Sequence, residues 1–195
     1  MEPSASEPTL CGKSAGQVMA EITRFHGFPA PGVMIGAFMV DWAQEWIGRK
    51  TEADAIVETR RCLPDAVQIL TPCTLGNGWL RVLDWDRFAL TLYDRVDRRG
   101  VRVWLDAGKA AAFPEVQGWF LKHIAKRELP LDVLLKTIVE ARRAVLSCRE
   151  VVVTDFLRRP KKQSVGICPG CGEAFDPRAG DRCRGCCQGA YFEYR

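Results

Sequence analysis

From Ser14 the chain becomes periodic. Ala15, Val18, Met19, Ile22 and Phe25 recur at three- and four-residue steps, which is the spacing of one helix face. Gly27 is a natural stop, and Pro29 and Pro31 prevent continuation. A second helix is predicted over 32–48, with Ile35, Phe38, Met39, Trp42, Ala43 and Trp46 as its buried stripe. "DAIVETRRC" is short and β-branched and reads as a strand ending at Cys62. "LPDAVQIL" reads as a short helix with Pro64 in its first turn, and "CTLGNG" as a loop. "WLRVLD", "RFALTLYD" and "GVRVWLD" alternate apolar and polar residues and predict an antiparallel meander. Helices are expected over 114–127 and 131–148, then a strand, "EVVVTDFL", leading out.

The pattern predicts an α+β class: N-terminal helices packed on a mixed, mainly antiparallel sheet, plus a small C-terminal zinc ribbon. The expected divisions are a loose tail over 1–13, a body over 14–158 and a ribbon over 163–195. "RRPKKQSVG" is basic and reads as the linker.

Composition sharpens the picture at the cysteines. The chain has 195 residues, enough to bury a core, and a mild net charge of +4. It has 9 cysteines, an odd number, and four of them form two CxxC pairs. "MEPSASEPTL" lacks the basic start and apolar core of a signal peptide. No apolar run approaches the ~18 residues of a membrane span. A reduced, cytoplasmic, metal-binding protein is therefore expected rather than a secreted disulfide framework.

The clearest motif is "CPGCGEAFDPRAGDRCRGC". Cys168, Cys171, Cys183 and Cys186 would supply four thiolates to a structural zinc, with glycines permitting the tight bends. Cys187 adjoins Cys186 as a rival, but the CRGC knuckle favours Cys186. Residues 158–195 hold eight Lys or Arg against four Asp or Glu, and zinc with four thiolates subtracts about two charges from that excess. Tyr191, Phe192 and Tyr194 are read as packing on the metal knuckles, so nucleic acid is a disfavoured partner.

The other chemistry lies at "FHGFPAPGVMIG", "RCLPDAVQ" and "TPCTLGNG". His26 ends the first helix and could be a core-edge residue or a ligand. Cys62 and Cys73 flank the short helix that carries Asp65 and Gln68. Their gaps do not form a standard ligand ladder. A Cys–His nucleophile pair is a further alternative, without a thiol-hydrolase signature around either cysteine. His123 reads as a surface residue, Cys148 as packing at a helix end and Cys11 as free in the tail.

These stretches, in this order and followed by the four-cysteine module, resemble the E-subunit family of formylmethanofuran dehydrogenase and its stand-alone relatives. That family shows FHGHxCPG, then C-x-x-D-A-x-Q, then G-C-T-x-G-K-G. Phe28, Ala30, Asn77 and Trp79 depart from the pattern, while Cys62, Asp65, Ala66, Gln68, Cys73, Thr74, Gly76 and Gly78 keep it. The resemblance implies metal binding and a methanogenesis-related link to molybdenum or tungsten one-carbon redox enzymes. Subunits of such an oxidoreductase, or a second copy of the chain, would be its partners, and its role would be non-catalytic. It also implies a second metal site at His26, Cys62 and Cys73, holding zinc, iron or nickel, with Asp65 or Gln68 orienting a ligand. The leading expectation is thus a metal-binding accessory protein. A stand-alone metalloenzyme with an open zinc comes second, and a nucleic-acid-binding ribbon protein third.

Overall fold

The computed structural model describes residues 9–125, 127–154 and 164–192. The chain divides into two compact units, Met1–Thr154 and Asp155–Arg195. Residues 158–163 of the expected linker and 1–8 of the expected tail lie outside the described residues.

The body starts earlier than its helical period suggests. Residues 9–13, expected in a loose tail, belong to a hairpin of β1 (Thr9–Leu10) and β2 (Lys13–Ser14). Its two-residue loop, Cys11 and Gly12, has φ of 52° and 81°, the positive pair that a primed hairpin turn requires. Leu10 is buried in the core. The Cys11 N–H donates to Asp41 Oδ1 at 2.8 Å.

Helix α1 (Ala15–His26) is fixed at both ends. Ser14 Oγ accepts from the Gln17 N–H at 3.2 Å, and Gln17 Oε1 accepts from the Ser14 N–H at 2.9 Å. At the far end Gly27 has φ 93° and donates to Thr23 O. Val18 and Ile22 are buried, but Phe25 is 54% exposed and leaves the predicted stripe. Helix α2 (Pro31–Ile47) is buried on every side from Pro31 to Asp41. It lies between the sheet and the other helices, packing on α1, α3 and α5 and on the central strands. An all-round apolar helix requires that position. Trp46, at its solvent end, is 39% exposed and stands outside the buried stripe.

The sheet runs β4-β3-β5-β6-β7. Strand β3 (Ala53–Val57) stops before Glu58, five residues short of the predicted end at Cys62. The backbone beyond it takes loop bonds: Glu58 O accepts from the N–H groups of Trp85 and Arg87. Helix α3 (Leu63–Leu70) then crosses to β4 (Leu80–Val82), which pairs parallel to β3. The predicted meander is thereby corrected at its first strand. A helix-length crossover brings β4 back parallel to β3, and β3 separates it from β5 (Ala89–Asp94). Strands β5, β6 (Arg99–Leu105) and β7 (Leu146–Val152) do pair antiparallel in sequence order. The class is α+β with a mixed sheet, as the pattern implied.

The last two body helices are shorter than predicted. Helix α4 (Pro114–Phe120) ends because Ile124 folds back onto Gly118, whose carbonyl takes the N–H groups of His123 and Ile124. A Cβ on Gly118 would meet Ile124 at 2.3 Å. Helix α5 (Leu131–Ala141) ends at Arg142, φ 49°, and a 3-10 turn over Arg142–Val145 leads into β7. Cys148 is accordingly a strand residue opposite Val103, half-buried against the core, and not a helix end. No helix among the described residues is long and apolar enough to cross a membrane.

Asp41 ties this frame together. Its buried carboxylate accepts from Cys11 N–H, from Arg49 at 2.8 Å and from Arg143 at 2.6 Å. Burial opposes the charge. The Cys11 N–H and the two guanidiniums outweigh burial and hold the carboxyl below its ordinary value. Asp41→Asn should lower the unfolding free energy at pH 7 by about 2 kcal/mol, the scale of a lost hydrogen bond to a charged group. With a depressed folded pKa, this stabilisation is complete above the unfolded value of ~4 and is lost as pH falls through the folded value. Urea midpoints of wild type and variant should differ at pH 7 and converge in acid. An equal gap at both pH values would refute the assignment.

Candidate functional site

The C-terminal unit is built around its cysteines. Strands β8 (Gly166–Ile167) and β9 (Ala174–Phe175) form a hairpin around the first CxxC turn. Gly172, φ 77°, closes that turn by donating to Cys168 O at 2.8 Å. The second pair opens a helix, α6 (Arg184–Gln188), with Cys183 as its N-cap. All four sulfurs lie within 4.8 Å of one another. The Cys168–Cys186 and Cys171–Cys183 separations are each 3.8 Å. A tetrahedron with Zn–S bonds of ~2.3 Å has edges of about 3.8 Å, so the donor set fits zinc in both chemistry and size.

Backbone dipoles already serve these sulfurs. The Cys183 N–H points at Cys168 Sγ at 3.4 Å, and the Cys186 N–H at Cys183 Sγ at 3.4 Å. The Cys183 N–H draws the Cys168 thiol down to about 6. The adjoining sulfurs of Cys183, Cys168 and Cys171 push Cys186 up to about 12. A cluster that resists full ionisation on its own is stabilised by a divalent cation. Cys187 stays outside, facing Arg182 O at 3.8 Å. Tyr191 is 99% exposed, so the expected packing of that ring on the metal knuckles does not occur; it meets Phe192 edge-on instead.

In the body, α3 decides which residues can meet. Cys62 is its N-cap, and Cys73 lies three residues beyond its last turn. Eight helical residues span about 12 Å, so the two thiols sit at opposite ends of one rod. Cys73 is sealed, 1% exposed, with Sγ donating to Ala53 O at 3.3 Å. His26 joins the other end: its Nδ1 lies 2.5 Å from Asp65 Oδ2. Asp65 thus orients the imidazole, the relationship by which a carboxylate fixes a metal-binding or base histidine. Gln68 does not share that task. Its Oε1 accepts from the Leu75 N–H at 3.3 Å and braces the glycine loop. Asn77 ties the same loop through Thr74, Trp79 and Pro72. Among the described residues, the group with ligand atoms close enough to share an ion is the four-cysteine set. His26, Cys62 and Cys73 form no such group.

Cys62 has an unusual backbone. Its φ is 59° and ψ −51°, and the Leu63 N–H donates across it to Arg61 O at 2.6 Å. This is the rare positive-φ γ-turn, a strained conformation that costs on the order of 1–3 kcal/mol. The turn presses the thiol against α2: a Cβ on Gly32 would lie 2.7 Å from Cys62 Sγ. Burial pushes the Cys62 thiol up, the Asp65 carboxylate adds to this, and Arg61 and Lys122 oppose it. On the open side Cys62 faces a cleft of about 490 Å³ walled by Phe28, Trp119, Ile124 and Leu134, with Lys122 also lining it. Phe28 also meets the His26 ring at 4.8 Å between centroids. Trp119 and Lys122 were not legible as site residues, because the reversal that brings them there depends on Lys122 holding φ 62°.

Comparison with known proteins accounts for both units. Residues 25–155 match the family described as "FmdE, Molybdenum formylmethanofuran dehydrogenase operon", and residues 159–193 match "FmdE treble clef zinc finger". A solved structure of a tungsten formylmethanofuran dehydrogenase FmdE-like protein from Syntrophus aciditrophicus is similar throughout. It has 43% identity and a TM-score of 0.87, and the match covers 96% of this chain and 100% of that one. A "Probable S-adenosyl-L-methionine-binding protein" from Archaeoglobus fulgidus is 37% identical over 122 residues, 57% of this chain. The match spans 33% of that relative's length.

The four-sulfur geometry carries a direct expectation. Purified chain should hold one zinc in the finger, measured by plasma mass spectrometry, and Cys171→Ser should lose it. The thermal transition of the body should be unchanged, since its core contains none of the four ligands. Zinc retained in full by Cys171→Ser would place the ion elsewhere.

Proposed function

Because the chain belongs to the FmdE family, we propose that it is a metal-binding accessory protein of molybdenum- or tungsten-dependent one-carbon redox enzymes, working in the cytoplasm. The observation that carries this reading is the closed four-cysteine set. Four thiolates saturate a tetrahedral ion and leave it no open position. Its metal would therefore organise a small surface rather than react. About 29 described residues of that unit gather little core of their own, so the ion would do the work of one. Nine thiols and no disulfide suit a reducing compartment.

The metalloenzyme reading would need a second ion in the body. A catalytic zinc takes three protein ligands and a water. His26 and Cys62 gather at the N-terminal end of α3, but Cys73 is sealed beyond its other end. A metal there would need a ligand from a partner or from a bound molecule. That requirement fits an accessory protein that completes its site only in a complex.

The test is affinity purification of the tagged chain from its native host, with metal analysis and protein mass spectrometry of the eluate. Subunits of a molybdenum or tungsten oxidoreductase should co-elute in fixed ratio. Cys183→Ser should abolish that association while the body remains folded. Recovery of the chain with zinc but without such an enzyme, even after cross-linking in cells, would refute the accessory role. A second metal lost in Cys62→Ser but kept in Cys73→Ser would show that the α3 end, without Cys73, holds an ion.

A further inference from the structure

We propose that the cleft at Cys62 is a binding site for a small apolar molecule bearing one anionic group. This goes beyond the accessory reading and requires no metal in the body. The cleft has about 490 Å³, the size of an ordinary ligand pocket. Trp119 and Phe28 offer aromatic walls, and Ile124 and Leu134 offer aliphatic ones. None of the described residues that line it carries a carboxylate.

Against these apolar walls stands one cation. The Lys122 ammonium makes no ion pair or hydrogen bond with the described residues. Of the polar groups nearby, Asp65 holds His26, Arg60 pairs with Asp84 at 2.9 Å, and Arg61, next to Cys62, acts on the thiol but does not line the cleft. Lys122 also holds φ 62°, a conformation that favours glycine. A lysine at such a position, beside a cleft without a counter-charge, is suited to an anion brought by a ligand. The apolar part would lie between Trp119 and Phe28, within reach of the Cys62 thiol.

The strain at Cys62 fits the same assignment. A side chain held in a γ-turn at a helix start, wedged against Gly32, cannot retreat into the core. It forms one fixed wall of the cleft. A ligand seated there must cover its sulfur, and that gives the site a specific readout.

The probes are the anionic 1-anilinonaphthalene-8-sulfonate and its neutral counterpart N-phenyl-1-naphthylamine, titrated by fluorescence into the full-length zinc-loaded chain. Both should bind, the sulfonate about tenfold more tightly, as one charge-assisted contact provides. Lys122→Gly should erase that preference. It relieves the positive φ, so its melting temperature should equal or exceed that of wild type, and a folding defect cannot mimic the result. Saturating sulfonate should slow the alkylation of Cys62 by iodoacetamide, followed by peptide mass spectrometry, and leave Cys11 unaffected. Absence of probe binding would overturn the proposal. So would an undiminished sulfonate preference in Lys122→Gly, or Cys62 alkylation at its full rate in the probe complex. Binding seen only when the protein is diluted from dimer to monomer would assign the cleft to a second copy of the chain, and that too would overturn it.

Discussion

The close approach of α3 to α2 sets the position of everything at the body's site. Gly32 and Gly36 lie one helical turn apart on α2 and present a track without side chains. A Cβ on Gly36 would meet Ala66 Cβ at 2.6 Å, and one on Gly32 would meet Cys62 Sγ at 2.7 Å. Only a helix bare at these two positions lets the Cys62, Leu63 and Ala66 side chains of α3 come so close. The contact fixes where α3 begins, and with it Cys62, Asp65 and, through Asp65, His26. The same contact seals the far end, because a rigid rod pinned at its start carries Cys73 under the sheet edge. The surrounding core is what permits the strain at Cys62: α2, buried on every side, cannot yield to let the turn relax.

That constraint also explains how much could be read from the sequence. Helices α1, α2 and α3 were legible because their ends carry chemical marks. Ser14 and Gln17 start one, Gly27 stops it, and Pro31 and Pro64 open the next two. The finger was legible for the same reason: two CxxC pairs with flanking glycines leave little choice of partner. The ends of α4 and α5 were not, since Lys122 and Arg142 adopt positive φ without being glycine. Such a conformation is imposed by tertiary contacts, here by Ile124 packing on Gly118. Nor was the place of β4 legible. Alternation of apolar and polar residues identifies a strand, but it does not say which neighbour the strand will choose.

The expected grouping of His26, Cys62 and Cys73 is the instructive case. The family resemblance joins in one site two cysteines that flank one short helix, although their spacing forms no ligand ladder. Flanking a helix places residues at its two ends, separated by its length, and eight residues are too many for one ion to bridge. Asp65 lies on the first turn and can reach the His26 end; Gln68 is one turn further and turns instead to the Leu75 loop. The split in roles follows from the helical pitch and from where α1 ends.

Six of the nine cysteines fall in three environments with three consequences. Cys73 is enclosed and bonded to a carbonyl, so it acts as core. Cys168, Cys171, Cys183 and Cys186 crowd together with backbone N–H groups directed at the sulfurs, so the charged state is favoured once a cation balances it. Cys62 lies between these extremes. Burial and Asp65 keep its thiol protonated more firmly than in water, yet its γ-turn holds it at the edge of a cleft. A neutral, fixed, soft atom on an apolar wall favours contact with a ligand's apolar surface over attack on it. Conversion of that contact into a bond would require something to remove the proton or to replace it.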